Sequence, residues 1–175
     1  VSISWWVGYG YTSGVSAIDY FLTDSTLAPP GSEHLFAEKL WRLKGGNDLF
    51  RATTAMGEEG PLPALSNGFI TFGTLSRTIR INEKVIKVWS EILKKVKNSK
   101  LIINSLNLKG NQEVITKLKK DFAKYGITEN RLNFYFESPP WNTMRSIDIA
   151  LDCFPHNSGT TIIEHLYTVS YTHLT

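Results

Sequence analysis

From Phe69 onward, four short apolar runs (FITFGTL, LIINSL, LNFYFE and IDIALD) alternate with stretches whose apolar residues recur every third or fourth position. The runs predict buried strands, and the stripes predict amphipathic helices. Asn82 is placed to cap one helix whose apolar face is Val85, Trp89, Ile92, Leu93 and Val96. Asn111 caps a second, with Val114, Leu118, Phe122 and Tyr125 on one side and Gly126 as its stop. A short turn or helix around Asn142 to Ser146 leads into the last run. Strands alternating with helices of this length imply an α/β fold with a parallel, Rossmann-like sheet and helices on both faces.

Ahead of this region the pattern changes. Residues 1–56 alternate strand-like pieces (SISWWV, AIDYFLTD, KLWRL) with Gly- and Pro-rich turns, and read as the end of a separate lobe. Residues 57–68, rich in Pro and Gly without apolar periodicity, read as a linker, and 69–167 as a nucleotide-binding lobe. The first ten residues have no charged leader before an apolar core, so they read as a strand entered mid-fold rather than a signal peptide. The last residues, 168–175, fit no element and read as a foreign or aberrant tail.

In a parallel sheet, ligands gather beyond the carboxyl ends of the strands. The loops expected there are TFGTLSRTIR, ESPPW and PHNSGTT. The third joins a buried strand to a helix through His156, Asn157, Ser158, Gly159, Thr160 and Thr161. Unpaired amides and the positive end of the helix dipole favour an anion at such a point. Glu164, one turn further on, is spaced to reach hydroxyl groups beside a phosphate, a combination that suits a nucleoside diphosphate with its ribose. The same residues also fit an ordinary capped strand–helix turn, with Glu164 merely complementing the helix dipole.

Charge and composition remove several classes. The net charge is only +3, and basic residues interleave with acids on helix faces, which argues against a nucleic-acid stripe. No apolar run approaches the roughly 18 residues of a membrane span. The single cysteine, Cys153, has no internal partner, which fits a reducing, cytoplasmic compartment. No Cys–His cluster has metal-ligand spacing, so neither a metal nor another cofactor is expected. His34 and His156 read as surface or loop histidines rather than catalysts, and Trp5, Trp6, Trp41 and Trp89 as core. Asp19 and Asp24 read as turn formers rather than a catalytic pair.

The pieces WWVGYGYTSGVSAIDYFLTD, PLPALSNGFITFGTLSR and LDCFPHNSGTT, followed by Glu164, resemble in order and spacing the catalytic region of the protein O-GlcNAc transferase family, in its SPINDLY-like bacterial branch. The resemblance implies a two-lobe GT-B-type glycosyltransferase fold. It also implies inverting transfer of GlcNAc from UDP-GlcNAc to Ser or Thr hydroxyls of an acceptor protein. By position, Arg80 takes the place of a lysine on the leaving diphosphate and is the candidate catalytic residue. Thr160 and Thr161 match the threonines that hold the diphosphate, and Glu164 the acid on the ribose. Arg77 stands where animal members have glutamine and bacterial ones arginine. Val7 and Gly8 match backbone positions against the transferred sugar, and residues 138–141, Pro140 and Trp141 among them, match the loop that reads the uracil. Trp141 fits equally as a cover for the sheet edge.

Departures accompany the match. Arg80 replaces a point donor with a wider fork. Gly159 stands where animal enzymes place a histidine, leaving only a backbone amide. The family's candidate bases and its tetratricopeptide repeats have no counterpart here, so the chain is expected to be an inactive fragment of a larger enzyme. Two alternatives stay open: a GDP-fucose-dependent protein O-fucosyltransferase, because plant SPINDLY proteins share this branch, and a non-catalytic nucleotide-binding module.

Overall fold

The computed structural model describes residues 1–4, 10–45, 50–58 and 60–168. Trp5, Trp6, Val7 and Gly8 lie outside the described residues, as does the tail from 169 onward. The chain forms two compact units, Val1–Arg51 and Ala52–Thr175.

The first unit is a three-stranded parallel sheet of β1 (Ile3–Ser4), β2 (Tyr20–Thr23) and β3 (Lys39–Arg42), in that order. Asp24 acts as the turn former its position suggests, whereas the Asp19 carboxylate instead ties back to a residue 17 positions earlier. Asp19 accepts the N–H of Ser2 at 2.7 Å, and Asp24 those of Thr26 and Leu27 at 2.7 and 2.9 Å. Trp41 corrects the expectation of a core residue: it is 50% exposed on the edge strand β3, its ring edge-on to Tyr20 at 5.8 Å. Side chains alternate between the two faces of a strand, and Trp41 shares with Lys39 the face of β3 that is left exposed.

The buried anchor of this unit is an acid. Glu38 is 5% exposed and accepts from the Thr12 hydroxyl and the Ser13 amide, each at 2.7 Å, and from the Ser13 hydroxyl. Burial pushes its carboxyl up, but the donors from Ser13 and Thr12 outweigh this and bring it down to about 2.

In the second unit, Ala52–Asn67 carries the buried Met56 and the short helix α1 (Pro63–Asn67). Then follow β4 (Thr71–Thr74), α2 (Glu83–Lys95), β5 (Lys100–Asn104), α3 (Gln112–Lys124), β6 (Leu132–Tyr135), α4 (Trp141–Arg145), β7 (Ile149–Ala150) and α5 (Thr160–Thr168). The sheet order is β6-β5-β4-β7, with every pairing parallel, as the alternation of strands and helices requires. Asn82 and Asn111 cap α2 and α3 by accepting the N–H three residues on, from Val85 at 3.1 Å and Val114 at 3.4 Å. Arg131 closes the other end of α2, donating to the carbonyls of Leu93 and Val96 at the helix end and of Ser99 in the turn that follows.

One face of the sheet meets α2 and α3. Phe72, Leu101, Ile103 and Leu132 pack there with Val85, Trp89, Leu93, Leu118 and Phe122, all 5% exposed or less. On the other face Gly73 lies against Ile147, so close that a Cβ at residue 73 would stand 2.2 Å from the Ile147 Cδ1. The buried Asp148 beside it accepts the N–H of Ala64 at 2.7 Å and of Thr71 at 2.8 Å, tying α1 to the start of β4. Parallel pairing and α/β crossovers thus bring the carboxyl ends of four strands to one edge.

Candidate functional site

The loops leaving that edge enclose a cavity of about 570 Å3, within the usual range for a small-molecule site. Arg77 and Ile79 come from the loop after β4, and Asn104 to Asn107 from the end of β5. Glu137, Ser138 and Pro140 follow β6, while Thr161 and Glu164 come from the first turns of α5. Ile79 and Leu106, 88% and 60% exposed, put apolar side chains at its lip.

The polar wall is held in place by its own hydrogen bonds. The buried Asn104 side chain accepts the Glu137 N–H at 2.9 Å and donates to the Glu137 carbonyl at 3.2 Å. The Ser105 hydroxyl donates to the side-chain oxygen (Oδ1) of Asn107 at 2.6 Å, and the Asn107 side-chain nitrogen (Nδ2) donates to the Thr78 hydroxyl. Thr143 donates to the Glu137 carboxylate at 2.6 Å. These residues escaped the sequence reading. A polar residue closing the LIIN strand at the ligand-bearing edge is the signal that points to Asn104.

The predicted site residues divide by where they fall. Arg77, Pro140, Thr161 and Glu164 line one cavity. Thr160 is the first residue of α5 and exposed, and Gly159 precedes it with open space where a side chain would stand. Arg80 does not line the cavity. It ends a 3-10 turn, Thr78–Arg80, and donates to the Asn157 carbonyl at 3.3 Å, three residues before α5. Trp141 begins α4, half-buried, and does not line the cavity either.

Burial raises the Glu164 carboxyl above the ordinary range of a glutamate. One residue on, His165 is 3% exposed, and neither ring nitrogen has a hydrogen-bond partner. Burial lowers it to about 4, with the nearby Asp152 carboxylate acting weakly the other way. It lies with Asp152, Ser158 and Thr161 around a small void beneath the first turns of α5. Its spacing of four from Thr161 put it on that helix face, a sign the sequence reading did not use. Cys153 is likewise buried, and burial pushes its thiol up. His34, in the 3-10 turn Glu33–Leu35, and His156, in the loop before α5, are both exposed, as expected of surface or loop histidines. Among the described residues no group of three or more His, Cys, Asp or Glu could hold a metal ion. No helix there is long and apolar enough to cross a membrane.

No protein-family model matches the chain. Among curated proteins it is 35% identical over 172 residues to the probable UDP-N-acetylglucosamine–peptide N-acetylglucosaminyltransferase SPINDLY of Arabidopsis thaliana, a match covering 93% of this chain. The protein of the same name from Petunia hybrida is 32% identical over 166 residues. The chain spans 18% of the length of each of these relatives. Among solved structures it is similar to a mutant O-GlcNAc transferase of Thermobaculum terrenum, with a TM-score of 0.74 and 28% identity, over 95% of this chain and 31% of that one. Anabaena HepE in complex with UDP and glucose shares the fold at 16% identity, with a TM-score of 0.51 over 86% of this chain and 42% of its own.

Proposed function

We propose that this chain, which is related over 93% of its length to the SPINDLY branch of the protein O-GlcNAc transferase family and folds as part of a GT-B glycosyltransferase, carries the sugar-nucleotide site of a longer enzyme. That enzyme transfers GlcNAc from UDP-GlcNAc to Ser or Thr hydroxyls of an acceptor protein, with inversion. The observation that carries this reading is the placement of Thr161 and Glu164, one helical turn apart on α5, in the same cavity as Arg77 and Pro140. In this reading Arg77 and Thr161 serve the phosphates, Glu164 the ribose and the loop at Pro140 the base, and their common cavity of adequate size supports it.

The chemistry follows from where charge builds. The acceptor oxygen bonds to the anomeric carbon as the bond from that carbon to the β-phosphate oxygen breaks. The bonding pair leaves with the nucleoside diphosphate, and the hydroxyl proton passes to a base, which the family resemblance assigns to another part of the parent. Donors fixed at the β-phosphate act more strongly on the transition state than on the bound substrate. Arg80, Arg77, the α5 amides and the hydroxyls of Thr160 and Thr161 are this chain's contribution, with Arg80 the residue on the leaving group. Glu164 holds the ribose, and the main chain around Pro140 and Trp141 reads the base. Val7 and Gly8 are assigned to the transferred sugar by resemblance alone. We place the parent in the cytoplasm, acting on proteins recruited by tetratricopeptide repeats and not on nucleic acid; the lone buried thiol and the interleaved charges support this.

Calorimetric titration of the chain with UDP, UDP-GlcNAc, GDP and GDP-fucose tests the reading. Uridine nucleotides are expected to bind and guanosine nucleotides not to compete. Preference for GDP and GDP-fucose would replace the donor, and binding of none would leave a fold without the activity.

A further inference from the structure

The loop that carries the arginines and the loop that opens α5 come from different strands, β4 and β7, yet a buried hydrogen-bond network joins them. At its centre the hydroxyls of Ser76 and Ser158 meet at 3.0 Å, with the two residues 3% and 8% exposed. The Ser158 N–H also donates to both oxygens of Asp152, at 3.0 and 2.8 Å, and the Cys153 N–H to one of them at 2.8 Å. On the outer side, the Asn82 side-chain amide donates to the Phe154 carbonyl at 2.9 Å and Arg80 to that of Asn157 at 3.3 Å.

Ser158 is two residues before Thr160, and Ser76 is next to Arg77 and four before Arg80. The contact thus lies between the two groups that must converge on one anion. Arginine forks and helix amides select phosphate only if their separation is fixed to within a fraction of an ångström. A loop bonded only to itself would leave that separation free. Each hydroxyl here is shut from water, and beyond a bond from the Ser76 hydroxyl to the buried Cys153 thiol each meets the other, so the contact constrains the pair to one mutual position.

We propose that Ser76 and Ser158, with Asp152 behind them, are positioning residues that lock the tip of α5 to the arginine-bearing loop and so set the geometry of the diphosphate subsite. The inference rests on the nucleotide-site reading above. It concerns no contact with the ligand: neither serine lines the cavity.

Removing one hydroxyl strands its partner in a buried place, whereas removing both leaves two small apolar groups face to face, close to neutral for stability. The test therefore centres on the double variant, Ser76→Ala with Ser158→Ala, in the full 175-residue chain beside each single variant. Affinity is measured for UDP and for uridine by titration, followed by ligand-observed NMR, together with the melting midpoint. The double variant is expected to keep its melting midpoint and its uridine affinity while losing about three- to tenfold in UDP affinity, the net worth of one hydrogen bond. The single variants should lose UDP affinity to the same extent, so that the two effects do not add. Unchanged UDP affinity in the double variant, or equal losses for UDP and uridine, would overturn the positioning role. Failure of the wild-type chain to bind UDP or GDP would instead remove the site reading, and this inference with it.

Discussion

The guanidinium of Arg80 donates to the carbonyl of Asn157 at 3.3 Å, which places the cation beside the loop that delivers α5 and not inside the neighbouring cavity. A carbonyl is a weaker partner for a guanidinium than a phosphate oxygen, so an anion bound at the helix tip would compete for Arg80.

Replacing that arginine tests its assignment to the leaving group. A charge-assisted bond from arginine to phosphate is worth about 1.5–3 kcal/mol, so Arg80→Ala is expected to weaken UDP binding roughly tenfold to a hundredfold. Arg80→Lys, which restores the point donor, should recover most of it. Equal affinities for wild type and the alanine variant, read by calorimetry, would take Arg80 out of the site.

Gly73 is fixed by packing. It sits in the middle of β4, and an added Cβ would stand 2.2 and 2.4 Å from the Cδ1 and Cγ1 of Ile147, itself 1% exposed. Ile147 has no solvent to retreat into, so Gly73→Ala should destabilise the second unit by about 1–3 kcal/mol through overpacking. Gly73→Ala combined with Ile147→Val should recover part of the loss. Urea unfolding of the three variants measures this.

Much of this architecture was legible from local pattern. The apolar runs reported strands because the central ones are buried on both faces, the two capped stripes reported helices because each buries one face, and Asn82 and Asn111 cap because a side-chain oxygen there meets an unpaired amide. The parallel order followed from alternation, and the edge carrying the ligand loops followed from the parallel order. Contacts between distant loops were not legible: Ser76 and Ser158 are 82 residues apart, and no periodicity links them. Trp41 shows the same limit in reverse. Its hydrophobicity reads as core, but its burial depends on whether another layer covers its face of β3, a property of the tertiary packing.

His165 should make the second unit acid-labile in a defined window. Burial holds its folded value at about 4, whereas an unfolded histidine titrates near 6.5. Between those limits the unfolded chain binds a proton that the folded one refuses, so stability is highest above pH 6.5 and falls as pH drops toward 4. His165→Leu removes the titration. Its melting midpoint should change less than wild type's between pH 7 and 4.5, and parallel curves would contradict the assignment.

Glu38 acts lower on the scale, in the first unit. Its folded value of about 2 lies below the roughly 4.3 of an unfolded glutamate. The stability it supplies is complete above that range and disappears as pH falls from about 4.3 through 2. Glu38→Gln keeps the shape but not the charge that accepts from Thr12 and Ser13, and should cost about 1.5–3 kcal/mol at pH 7. Thermal unfolding of the variant should decline less than wild type's across that acid window, the remainder coming from other carboxylates held low, such as Glu33 and Asp121.

Glu164 gives the sharpest test of nucleotide orientation. Its carboxyl lines the cavity one turn beyond the α5 tip, and burial raises it above the ordinary glutamate range. As a ribose partner it works by accepting hydroxyl hydrogens, which the ionised form does with both oxygens and the protonated form does less well. UDP affinity should therefore fall as pH is lowered, starting above the range in which an ordinary glutamate would protonate. The phosphates of UDP also titrate near there, so the control is 2′-deoxy-UDP, which carries the same diphosphate and lacks one hydroxyl. At pH 7.5 wild type should prefer UDP to the deoxy analogue by about tenfold, the worth of one bond to a charged acceptor. Glu164→Ala should erase that preference while leaving the deoxy analogue's own affinity nearly unchanged. The UDP-to-deoxy ratio should shrink with falling pH in wild type and stay constant in the variant. A preference that survives Glu164→Ala would move the ribose elsewhere in the cavity.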